Sequence, residues 1–275
     1  MKFWRLNHPD YESDYKFCFI NGTLEHPYGL PGVKCSVCNE TWGGSRILAV
    51  EYPVGHRDNK HILDKCPISL EQHRVLQREV SSQLSCITGF CPDLKPGDDF
   101  QPCYLDVPSR PVADFLWAGM GSVVVSKRIK DLFETMGIGG ISLCPVILRK
   151  IGKRAARLTP QAPVTGEPED FINEVPPQIQ TASIGPYFEL VVQSKSGFAP
   201  GCEPFTTSSG CGRKTFANPD PEFIMVESMW NGADIFFWAD THYIVVTDRL
   251  KQSLQSLRVT NVEFNLLRSP TDGNQ

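Results

Sequence analysis

Apolar residues fall in short β-branched clusters along this chain, each followed by a stretch of helical period, and the succession occurs twice. Val123, Val124 and Val125 read as a short buried strand. Ser126 follows directly as a good helix N-cap, and Ile129, Leu132, Phe133 and Met136 then share one face of a short helix. The turn Gly137-Ile138-Gly139-Gly140 ends that helix and leads into an apolar strand. Further on, Val245 and Val246 are followed by Thr247 as cap, by Leu250, Leu254 and Leu257 on one helical face, by the turn Val259-Thr260-Asn261, and by another strand.

The two stretches align without a gap, residues 115 to 143 with 236 to 264, at a constant offset of 121. Phe115, Trp117, Ala118, Val124, Val125, Arg128 and Lys130 recur as Phe236, Trp238, Ala239, Val245, Val246, Arg249 and Lys251. A duplicated packing unit must repeat whatever fills its core, so the paired Trp and Arg read as a core anchor and a helix-surface charge rather than as two ligand sites. The expected fold class is α+β, with two related halves that each contain a strand-helix-strand unit, at residues 115–148 and 236–268.

Residues 69–86 have helical periodicity, with Ser69 as cap and Leu70, Val75, Leu76, Val80 and Leu84 along one side. Turn formers crowd the segment from Cys91 to Asp99, and prolines crowd residues 158–182, which read as a connection. Tyr187 to Val192 looks like a strand opening the second half. The expected organisation is 1–157 as an N-terminal half, 158–182 as the connection and 183–275 as a C-terminal half, with one compact domain overall as the alternative.

With 275 residues and 41% hydrophobic content, the chain can bury a substantial core. The N-terminus turns polar too early for a secretory signal, and no apolar run approaches the roughly 20 residues that cross a bilayer, so a cytoplasmic protein without a membrane role is expected. A net charge of −4, from 27 basic and 31 acidic residues, argues against nucleic acid as partner. The local basic run Arg149, Lys150, Lys153, Arg154 and Arg157 reads first as a solvated face.

Ten cysteines in an intracellular chain are not a disulfide framework. Cys18, Cys86 and Cys144 sit where a thiol serves as a small hydrophobe. Cys35-Ser36-Val37-Cys38 lies behind the turn Gly29-Leu30-Pro31-Gly32, which is the setting of a zinc knuckle and not of a redox helix. Completing a tetrahedral set takes two further ligands, and the second half offers Cys202 and Cys211, with Ser208 where a second CxxC would begin. Cys35, Cys38, Cys202 and Cys211 are thus candidate ligands of a structural zinc that pins the halves together, in a degenerate zinc-ribbon-like constellation. An eroded, metal-free site and a thiol oxidoreductase pair remain alternatives.

Other chemistry finds less support. His56, His61 and His73 are not spaced as an HExxH helix, and no GxSxG elbow or P-loop occurs. Asp240-Thr241-His242 places one acid near one base, a pairing common by chance.

Taken in order, Tyr28-Gly29-Leu30-Pro31-Gly32, the CxxC at Cys35 and Cys38, Glu51-Tyr52-Pro53, the unit beginning at Val123, Cys211-Gly212 and the ending from Ala239 to Leu266 resemble the double-CXXCG motif family. These are immunity proteins of the myxobacterial swarming-inhibition toxin system. The resemblance covers nearly the whole chain and implies a cytoplasmic, non-catalytic protein that neutralises a cognate toxin by direct binding. Asn39 stands where the first motif has Gly, and Ser208 where the second has its first Cys; both bear on metal binding. Candidate toxin contacts are the 91–104 loop, the proline-rich connection and residues 218–234. A zinc-ribbon nucleic-acid adaptor and a CxxC oxidoreductase are the competing functions.

Overall fold

The computed structural model describes residues 1–9, 23–53, 67–90, 92–107, 113–118, 121–150, 186–198, 205–216 and 224–268. Within them the architecture is mixed α/β, with helices α1 (Leu70–Thr88), α2 (Lys127–Met136) and α3 (Asp248–Ser256) among many strands. A four-stranded sheet runs β15 (Ile235–Phe237), β16 (Ile244–Thr247), β1 (Phe3–Asn7), β17 (Glu263–Leu266). A six-stranded sheet runs β2 (Thr23–Glu25), β8 (Cys103–Val107), β11 (Ile141–Lys150), β12 (Tyr187–Val192), β10 (Val123–Ser126), β9 (Phe115–Trp117). Smaller sheets join β4 (Thr41–Trp42), β3 (Val33–Lys34) and β6 (Ile68–Ser69); β5 (Ile47–Glu51) and β7 (Asp99–Gln101); and β13 (Phe205–Thr207) and β14 (Lys214–Phe216).

The two expected strand-helix-strand units are present, as β10-α2-β11 and β16-α3-β17. In each, the strands flanking the helix are not neighbours: β12 lies antiparallel between β10 and β11, and β1 lies antiparallel between β16 and β17. The registers correspond residue for residue. Val125 pairs with Phe188 where Val246 pairs with Trp4, and Leu143 pairs with Leu190 where Phe264 pairs with Leu6. The first strand of each half therefore completes the sheet of the other half. The duplicated lysines gain a reason here, since Lys130 Nζ lies 5.3 Å from the Phe188 ring and Lys251 Nζ 3.9 Å from the Trp4 ring.

The helix-bearing faces of both units share one core. Phe115, Val123, Val125, Ile129, Phe133 and Leu190 from one side pack with Leu6, Ile235, Ile244, Val246, Leu250 and Leu254 from the other. Burying each such side chain contributes about 1.5–3 kcal/mol, so neither unit is complete alone. A polar clasp recurs at the helix starts. Asp114 accepts from Arg128 Nε at 2.7 Å and Ser126 Oγ at 2.9 Å, and Asp234 accepts from Thr247 Oγ1 at 2.7 Å and from Arg249. Only Asp114 also reaches across, accepting from Thr260 N at 3.0 Å and Thr260 Oγ1 at 3.1 Å.

The ungapped repeat needs one correction. Phe115 pairs with Val125, but Val246 pairs with Ile235, so Ile235 and not Phe236 is the counterpart of Phe115. The turn is one residue longer in the second hairpin, where Trp238 N donates to Tyr243 O, as Ala118 N does to Ser122 O in the first. Trp117 thus corresponds to Phe237 in the shared core, while Trp238 is buried with Phe3, Met225 and Phe236 on the opposite face.

Helix α1 begins at Ser69 as expected, with a reciprocal capping box to Gln72, and ends at Gly89 with φ 69°. It buries Leu76, Val80 and Leu84 with His73, against Leu30, Leu48, Tyr52, Leu94 and Phe100. Val75, expected on that side, is 42% exposed because it points one residue off the stripe. Cys86 is exposed rather than a core residue, Cys144 is half-buried, and Cys18 lies outside the described residues. Much of the expected 91–104 loop is structure: Leu94, Asp98, Phe100, Gln101 and Cys103 are buried, and Asp98 is held by Arg46 Nε at 2.9 Å. Gly97 turns there at φ 80°, where a Cβ would stand 2.2 Å from Gly44 O.

Burial pushes the Asp114 carboxyl up, but hydrogen bonds from Arg128, Ser126 and Thr260 outweigh it and hold the group below the usual carboxylate range. Asp114→Asn should cost about 2–3 kcal/mol at neutral pH, since Arg128 is half-exposed and screened while the Thr260 and Ser126 donors are not. A depressed carboxyl stabilises above its unfolded value and loses that contribution as pH falls through the folded one. The urea-unfolding free energies of parent and variant should therefore draw together as pH falls through the acidic range; a constant gap down to acid pH would contradict this assignment.

Candidate metal centre

Two tight hairpins, one from each half, meet tip to tip. In the first, Lys34 pairs with Thr41 across β3 and β4; in the second, Thr207 pairs with Lys214 across β13 and β14. Cys35 N donates to Glu40 O at 2.9 Å, and Ser208 N donates to Arg213 O at 2.8 Å. Each knuckle closes through a left-handed residue, Asn39 at φ 57° and Gly212 at φ 74°. Asparagine is among the few side chains that tolerate this conformation, so Asn39 suits the turn as Gly212 does. Gly210 has no side chain because a Cβ would lie 2.8 Å from Val37 Cγ1 across the junction.

The sulfurs of Cys35, Cys38 and Cys211 all lie within 4.8 Å of one another. Cys38 and Cys211 are 3.8 Å apart, and Ser208 Oγ is 3.5 Å from Cys211 Sγ. Zn–S bonds of about 2.3 Å in a tetrahedron put sulfurs about 3.8 Å apart, so three thiols at this spacing can hold such an ion. Hydrogen bonds from the backbone N–H of Cys38 and then Val37 offset burial and lower the Cys35 thiol to about 7. Cys38 receives a backbone N–H from Glu40, yet burial and the other two thiols outweigh it and raise that group. Cys35 is thus poised to ionise without metal, whereas Cys38 is held toward its neutral form.

Of the four expected ligands, Cys35, Cys38 and Cys211 come together. Cys202 lies outside the described residues, and Ser208 stands beside the cluster. The other candidates are dispersed. His73 is buried, and burial lowers its pKa. His56 and His61 lie outside the described residues. Asp240 is taken by Lys195 at 2.9 Å and by Lys214, while His242 Nε2 faces Ser45 Oγ at 3.3 Å, so the two are not an acid-base pair. Arg149 is bound to Asp106 at 2.8 Å and Glu25 at 2.5 Å, and residues 151–157 of the basic run lie outside the described set.

A second cluster, which sequence spacing could not reveal, joins His26, Cys103 and Glu189 from three distant segments. Burial and Glu189 push the Cys103 thiol far up, burial raises Cys144 to about 11, and burial raises Asp99 to about 6. Cys103 is therefore no nucleophile in the metal-free protein. No protein-family model matches this chain, and no curated protein matches it.

Replacing Ser208 with Cys should supply the missing soft ligand and tighten zinc binding at least about tenfold in competition with a chromophoric chelator. Unchanged affinity would mean that the fourth position does not face the three thiols. Asn39→Val should lower stability by about 1–2 kcal/mol through the left-handed backbone, and Asn39→Gly should be near neutral, both read by thermal unfolding.

Proposed function

We propose that this chain is a cytoplasmic immunity protein that binds and neutralises a cognate toxin, acting as a rigid surface and not as an enzyme. Its support is the order of motifs resembling the double-CXXCG family, together with the meeting of the two motif regions at Cys35, Cys38 and Cys211. In this reading the knuckles form a degenerate zinc-ribbon-like junction in which three thiolates hold a structural zinc and Ser208 or solvent fills the remaining position. The ion fixes one half against the other, so the surface offered to the toxin is preorganised and loses little entropy on binding. Within residues 92–104, the buried Leu94, Asp98, Phe100, Gln101 and Cys103 leave the set of contact candidates, and so do Met225 and Trp230, which pack against Phe3, Phe236 and Trp238. The proline-rich connection stays in it, outside the described residues.

One observation favours a second reading, a thiol oxidoreductase: the Cys35 thiol is lowered to about 7. Against it, the lowering comes from a hairpin knuckle and the third thiol, Cys211, crowds the pair. The nucleic-acid adaptor is weakened by the engagement of Arg149 with Asp106 and Glu25.

Co-expression with the cognate toxin should restore growth, and the tagged protein should retain that toxin on purification. Growth no better than with an empty vector, or turnover in an insulin-reduction assay abolished by Cys35→Ser, would overturn the proposal in favour of the alternatives. No helix among the described residues is long and apolar enough to cross a membrane.

A further inference from the structure

Glu189 occupies a position for which the fold does not require an acid. It lies at the middle of β12, where its pseudo-equivalent on β1, by the pairings Val124–Glu189 and Val245–Arg5, is an arginine set over the Tyr243 ring. Its carboxylate is fully buried between the six-stranded sheet and the α1-bearing segment. Three groups converge on it. His26 Nε2, from the stretch after β2, is 3.1 Å from Oε2; Gln101 Nε2, from β7, donates to Oε2 at 2.6 Å; and the Cys103 thiol, opening β8, lies beside the carboxylate. No N–H or O–H among the described residues donates to Glu189 Oε1, and Gln101 Oε1 is likewise buried without such a partner.

We propose that His26 Nε2, Cys103 Sγ and the Glu189 carboxylate form a second, buried zinc site on the six-stranded sheet, at the two points where the α1-bearing segment leaves it after β2 and rejoins it at β8. The three donor atoms lie within 4.8 Å of one another, close to the spacing of ligands around one tetrahedral ion. Nitrogen, sulfur and oxygen together are the mixed set that zinc accepts, whereas calcium or magnesium would call for oxygens alone. Charge supports the same occupant: a carboxylate, a thiolate and a neutral imidazole cancel a divalent cation, and a buried neutral assembly avoids an uncompensated charge. The ion itself deprotonates a coordinating thiol, so the Cys103 proton leaves to solvent on binding. Gln101, through its donation to Oε2, orients the carboxylate from outside the ligand set. The proposal is independent of the knuckle and of the immunity reading.

The test uses the full chain, reduced and stripped of metal, titrated with cobalt(II) and desalted. A variant with Cys35→Ser and Cys38→Ser should retain one equivalent of cobalt with a single-thiolate charge-transfer band. Adding Cys103→Ser or Glu189→Gln to it should abolish that band while circular dichroism stays unchanged. If the double knuckle variant does not fold, the comparison moves to the parent background, where Glu189→Gln or His26→Asn should lower retained cobalt by one equivalent and leave the multi-thiolate band in place. A folded parent that retains no cobalt, or whose retained cobalt is the same with and without Glu189→Gln and Cys103→Ser, overturns the site.

Discussion

A parallel strand pair joined through a helix, with one strand's width left between its members, has two rows of backbone donors and acceptors that must find a partner. Buried peptide groups left unpaired cost as much as lost hydrogen bonds, so the vacant lane has to be filled. In this protein each lane is filled by the opening strand of the other half: β12 between β10 and β11, β1 between β16 and β17. Most of the remaining structure follows from that exchange. Neither half can close its sheet alone, the helices pack on both local and borrowed strands, and the shared core draws from both sides. The arrangement is the intramolecular counterpart of a strand-swapped dimer, with covalent linkage removing the concentration dependence that a true dimer would have.

The sequence made the helix units legible because they carry period and turn signals locally. Val123 to Val125, Ser126, the Ile129-Phe133 face and Gly137 sit where the pattern put them, and so do Ser69 and the strand from Tyr187 to Val192. The exchange was not legible. Phe3-Trp4-Arg5-Leu6-Asn7 and Tyr187-Phe188-Glu189-Leu190-Val191 share little beyond one leucine, since a filler strand needs only apolar residues facing the helix and backbone groups facing its neighbours. A constant offset also hid the Asp114–Asp234 clasp. The extra residue in the second hairpin turn puts the two acids one position out of step, so the arginines matched while their partners did not.

The cysteines show the same limit from another side. Cys35 and Cys38 announce a knuckle, and the spacing to Cys211 already put Ser208 in the place of Cys35; the paired hairpins add that the two knuckles meet, which spacing could not show. Two positions that bear on metal binding thus separate physically. Asn39 is a backbone matter and is solved by the tolerance of asparagine for positive φ, whereas Ser208 is a ligand matter and changes the donor set itself.

Symmetry then becomes a way to tell packing from purpose. Positions that correspond in both halves, such as Leu6 with Leu190 or Lys130 with Lys251, are accounted for by the sheet they complete and the ring they cover. Positions that break the correspondence need a separate cause. Glu189 against Arg5 is the sharpest break in the interior, and it lies where the first half carries the α1 segment that has no counterpart among the described residues of the second. An acid at that junction is costly to bury, and a hydrophobic residue would pack the same space at no electrostatic penalty. Its partners therefore weigh more than its own burial. A histidine, a thiol and an amide drawn from separate segments to one carboxylate form an arrangement that duplication of a sheet does not supply.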